Sequence, residues 1–172
     1  MRVFKLEILD KYWLPGQPEE TDLCLHGEVR VHIGAHVLHD DVSLSAAALH
    51  LLRTVKDNHE PDEYAKLFPT DGFCWTPWGD PYPIYLGGCP NGGIDGSVLH
   101  EDGCVCIELE NLQEMRVPLA DYRAEVFRIA DEVEGTFRDS KPKIVQRDSL
   151  GELWYPLFWT EWQQLRYGAE NP

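Results

Sequence analysis

Between Arg30 and Asp41 the chain reads RVHIGAHVLHDD, which sets three histidines and two aspartates close together. Imidazoles and carboxylates are the side chains that hold zinc and move protons near neutral pH. On a helix, His32, His36 and His39 would share a face. On a strand, His32 and His36 share one and His39 points the other way. The β-branched alternation around the stretch favours the strand, and Gly34 opposes a helix interior. In that reading His32 and His36, joined by Asp40 or Asp41 from the turn that follows, form a candidate metal site, and a metal-dependent enzyme is one function the stretch admits. The simpler reading is the polar face of a half-buried strand.

Cysteine offers a second set of ligands. Cys104 and Cys106 share one face of a strand, and Cys74 and Cys89 could approach from a long loop to complete four sulfurs. Zinc knuckles show paired C-x-x-C spacing, which is absent, so small buried hydrophobes is the plainer account. The segment GGCPNGGIDG resembles neither a phosphate loop, for want of a following lysine, nor a complete calcium loop, since Gly93 stands at a ligand position. No G-x-S-x-G, H-E-x-x-H or dinucleotide fingerprint occurs, so no catalytic residue and no cofactor is assigned.

Charge is the more informative signal. Thirty acids against fifteen bases give a net charge of -15 and leave little attraction for nucleic acid or an anionic membrane. A cationic protein would be drawn in. Asp57, Glu60, Asp62 and Glu63 form one acidic cluster, and Glu125, Asp131, Glu132 and Glu134 line the polar face of a helix. Aromatic residues supply anchors for such an interface: Trp75, Trp78, Tyr82 and Tyr85 in a loop, with Trp154, Tyr155 and Trp159 near the end. The candidate partner-binding residues are therefore Trp75, Trp78, Tyr82, Tyr85, Asp62 and Glu63.

The elements that position these groups follow from periodicity. Residues 3–9 alternate as a strand, 15–22 turn, and Val29, Val31 and Ile33 alternate with Glu28, Arg30 and His32 as a second strand. A helix is expected over 43–58, capped by Ser43 or Asp41, with a short helix beginning at Pro61. Residues 69–96 read as a loop holding one short strand at 83–86, followed by a meander at 97–100, 104–109 and 114–117. Helices follow at 119–139 and 155–167. The sum is a single α+β domain over residues 1–172, with a mainly antiparallel sheet and three or four helices. With no export signal and an odd set of five cysteines, a cytoplasmic location with reduced thiols is expected.

The second half also carries a resemblance. YPIYLGGCPNGGIDG, VPLADYRAEVFRIADEV, FRDSKPK and FWTEWQQL, spread over about residues 82–166, resemble uncharacterised bacterial immunity-type proteins, the antidotes encoded beside secreted toxins. That likeness implies a small acidic protein that occludes a basic toxin. Its motifs are structural, so no functional residue is carried over. A self-associating structural subunit is a third function that the sequence admits.

Overall fold

A computed structural model describes residues 4–72, 74–75 and 84–168. Strands β1 (Phe4–Ile8), β2 (His26–Ile33) and β3 (His36–Ser43) form one antiparallel sheet in that order. Val29, Val31 and Ile33 are buried as their alternation requires. The histidine-rich stretch is a hairpin, which corrects its reading as one continuous strand. Gly34, at φ 61°, turns the chain with Ala35, the signature of a two-residue turn with glycine at its first central position.

Helix α1 (Leu44–Thr54) runs from the end of β3 into the centre of the molecule, and every residue from Leu44 to Leu52 is buried. Its alanines, Ala46, Ala47 and Ala48, let neighbours approach closely on all sides. Its buried polar groups are matched: Ser45 Oγ accepts the Leu25 N–H, and Thr54 Oγ1 lies 2.6 Å from the Tyr122 hydroxyl. Ser43 occupies the N-cap position but makes no capping bond there, and the Asp41 carboxylate instead accepts the Tyr12 hydroxyl.

The helix expected at Pro61 does not form: the Leu67 N–H goes to the Asp95 carboxylate and the Phe68 N–H to the Ile94 carbonyl, so the amides that would continue a helix are bonded across to the next segment. Asp62 Oδ1 accepts the N–H groups of Tyr64 and Ala65, while Asp95 accepts those of Asp62 and Leu67. Short strands β4 (Cys74–Trp75) and β5 (Tyr85–Leu86) pair with each other. A second three-stranded antiparallel sheet follows: β6 (Gly96–Glu101), β7 (Cys104–Leu109) and β8 (Met115–Pro118).

Helix α2 (Leu119–Asp139) has the expected bounds and buries Tyr122, Val126, Ile129, Ala130 and Val133. Helix α3 (Leu150–Tyr167) starts more than a turn before the expected 155, with Pro156 inside it and Trp162 fully buried. Among the described residues, two three-stranded antiparallel sheets, the short β4–β5 pair and three α-helices make an α+β architecture around α1. Among the described residues no helix is long and apolar enough to cross a membrane.

Candidate partner-binding cleft

The hairpin places His32 on β2 and His36 and His39 on β3. Directly opposed residues share a face, so His32 lies with Val37 and Arg30 with His39, whereas His36 lies with Ile33. His32 and His39 are thus on the outer face, and His36 and Asp40 are on the other, which overturns the expected pairing of His32 with His36. His32 Nε2 stands 3.1 Å from Glu7 Oε2 without hydrogen-bond alignment, and His39 Nε2 stands 3.0 Å from Glu28. Asp40 accepts the N–H groups of Gly93 and Asp41. Among the described residues no three histidine, cysteine, aspartate or glutamate side chains are gathered as metal ligands.

The acids of α2 are also engaged within the chain. Glu125 binds the Leu6 N–H and Arg128, Glu132 pairs with Lys11, Asp131 with Arg166, and Glu134 accepts from Trp162 and Tyr167. Of the late aromatics, Trp154 and Trp159 pack on the core, and Trp159 meets Phe137 edge-on at 5.0 Å. In the loop, Trp75 belongs to β4, and Trp78 and Tyr82 fall outside the described residues.

What the fold does gather is a cleft of about 380 Å³, which sequence spacing did not reveal. Its walls come from α1 (His50, Arg53, Thr54), the following loop (Asp57 to Asp62), β5 with its preceding residue (Ile84, Tyr85) and α3 (Glu161, Leu165). Asp62 and Tyr85, both expected partner-binding residues, line it; exposed Glu63 is next along the chain.

On the floor, Arg53 holds three elements together. Its Nε and Nη2 meet the two carboxylate oxygens of Glu161 at 2.7 and 2.9 Å, and Nη2 also reaches the Ile84 carbonyl at 2.8 Å. This bidentate pair neutralises the one arginine or lysine among the lining residues. Beside it His50 is fully enclosed, its Nε2 3.1 Å from the Leu86 carbonyl. Burial, reinforced by the positive charge of Arg53, lowers its pKa to about 3, so His50 is neutral at physiological pH. A neutral imidazole facing a carbonyl donates through that nitrogen.

The wall is pinned by His59, which donates to Asp95 Oδ1 at 3.0 Å. Burial works against the Asp95 charge, but His59 and the N–H groups of Leu67, Asp62 and Gly96 outweigh it and hold the carboxyl below its usual range. The His59 backbone also exchanges both hydrogen bonds with Val98. Asp95 therefore ties the acidic loop to β6, and it lines a second depression with Glu108 and Glu110. Asp57, Glu60 and Asp62 remain exposed at the mouth of the cleft. Comparison with protein-family models, with curated proteins and with solved structures finds no match to this chain.

Proposed function

We propose that the chain is a protein-binding domain that receives a basic partner at this cleft. The observation that carries the reading is the convergence of Asp57, Glu60 and Asp62 around Tyr85, above an arginine already neutralised by Glu161. Carboxylates at a mouth draw a cationic group in, and Tyr85, 36% exposed, adds aromatic surface beside them. The net charge of -15 supports the same choice of partner. The immunity-type resemblance gives the finer form of the proposal: an antidote that covers a basic toxin in the cytoplasm.

The test is affinity capture from native lysate at low and moderate salt, with wild type beside the double variant Asp57→Lys, Glu60→Lys. Among the described residues neither side chain makes a hydrogen bond or ion pair, so the variant is expected to keep the fold. One stoichiometric basic protein retained by wild type and lost by the variant is the expected result. Equal retention by both would remove the cleft from the interface.

A further inference from the structure

The edges of the two sheets are treated unequally. At β1, Leu6 has its N–H and carbonyl held by the side chains of Glu125 and Arg128. At β6, Val98 is paired with His59, and β8 is four residues long and ends in proline. Strand β3 has eight residues, and among the described residues nothing covers its edge at Val37 and His39.

Its hydrogen-bonding alternation can be read directly. A two-residue turn closes on a hydrogen-bonded pair, here Ile33 with His36, so Val37, His39, Asp41 and Ser43 direct their amides away from β2. The Ser43 N–H confirms this by donating to the Pro69 carbonyl at 2.8 Å. Asp40 Oδ1 takes the Asp41 N–H. Val37 and His39 are left with both backbone groups unpaired among the described residues, and the Val37 side chain is 54% exposed.

We propose that β3 pairs antiparallel with β3 of a second copy, Leu38 opposite Leu38 and Val37 opposite His39, joining two three-stranded sheets into one of six strands. Outward-directed residues must face one another, so the twofold axis passes through a residue of β3, and centring on Val37 would set His39 against the turn at Ala35. Centring on His39 sets two imidazoles together. Centring on Asp40 opposes two carboxylates and requires the Asp41 N–H, already in use. Centring on Leu38 employs the two free residues, gives four backbone hydrogen bonds, sets apolar against apolar, and places His36 opposite Asp40 twice. The overlap also ends before Pro69 occupies the edge at Ser43. Repulsion between two chains of charge -15 opposes the approach, but salt screens it beyond about 8 Å at physiological strength. This surface is independent of the cleft.

Sedimentation over a concentration series, at about 0.15 M salt and above, should show a dimer that tightens as salt rises. Val37→Pro and His39→Pro remove donors that serve no bond among the described residues, so each should weaken the dimer by about tenfold or more while the circular dichroism stays that of wild type. Leu38→Cys should oxidise to a cross-linked dimer joined at position 38, because directly opposed residues of a non-hydrogen-bonded pair lie about 4.5 Å apart. His36→Cys should not join its own counterpart. A wild-type monomer at every concentration and salt would overturn the proposal, as would a dimer indifferent to both prolines in which Leu38→Cys forms no cross-link.

Discussion

Glu125 Oε1 accepts the Leu6 N–H at 2.8 Å, so a side chain of α2 stands where a neighbouring strand would stand beside β1. Arg128, which donates to the Leu6 carbonyl, completes the imitation, and the two side chains bind each other at 2.7 Å. Burial alone would raise the Glu125 pKa, but Arg128 and the Leu6 amide bring it below its ordinary value. A strand edge is thereby closed with side chains, which protects it from pairing with other chains.

Glu125→Ala should therefore cost about 1 to 3 kcal/mol, the penalty of leaving a part-buried amide and its arginine without an acceptor. Glu125→Gln keeps an oxygen for Leu6 and should lose less. Urea denaturation of the two variants decides the matter. An alanine variant within about 0.5 kcal/mol of wild type, the range of ordinary surface changes, would show that the edge does not need closing.

His50 predicts a pH dependence. Its native pKa lies near 3, against an unfolded value of 6.5, because burial and Arg53 disfavour the charged form. Between those values the unfolded chain binds a proton that the native chain refuses. Stability must then fall as pH drops from about 6.5 towards 3, with a slope of at most about 1.4 kcal/mol per pH unit from this group. His50→Gln, whose amide can reach the Leu86 carbonyl, should flatten that slope by close to one proton. If denaturation midpoints of wild type and variant run parallel from pH 7 to 5, the histidine is not the source.

Much of the fold was legible because it is written locally. Helix α2 emerges with its expected bounds since Tyr122, Val126, Ile129, Ala130 and Val133 repeat at helical spacing. The hairpin was not recognised, although Gly34 followed by Ala35 held the signal: a glycine that opposes a helix is also the residue a tight strand reversal requires. The cleft was illegible for another reason. His50, Asp62, Tyr85 and Glu161 come from four separate parts of the chain, and no spacing rule links them. Asp95 and Ile94 likewise take the Leu67 and Phe68 amides from a distant part of the chain, which periodicity does not register, where a helix was expected from Pro61.

Two glycines should respond unequally to alanine. A methyl group on Gly96 would lie 1.9 Å from the Glu108 carbonyl oxygen and 2.7 Å from the Leu109 Cα, both backbone atoms of the paired strand. Backbone cannot step aside without opening the β6–β7 ladder, so Gly96→Ala should cost about 3 kcal/mol or more. Gly34 has φ 61° and no atom within 4 Å of the added methyl, so Gly34→Ala meets only conformational strain of about 1 to 2 kcal/mol. Thermal unfolding that ranks Gly34→Ala as the more damaging change would contradict the strand spacing at Gly96.

The Arg53–Glu161 pair supports a last prediction, and here the direction depends on what is removed. Their side chains are only 22% and 16% exposed, so each charge depends on the other. Glu161→Ala leaves a largely buried guanidinium uncompensated and should destabilise by about 2 to 4 kcal/mol, loosening α3 from α1. Removing both charges together, as Arg53→Met with Glu161→Leu, takes away the desolvation cost along with the attraction and should restore most of that loss. It should not restore all of it, because the Ile84 carbonyl loses the donor it has at 2.8 Å. A double-mutant cycle by chemical denaturation measures the coupling directly. A coupling below about 0.5 kcal/mol would mean that the pair behaves like an exposed surface bridge and that the floor of the cleft is held by packing alone.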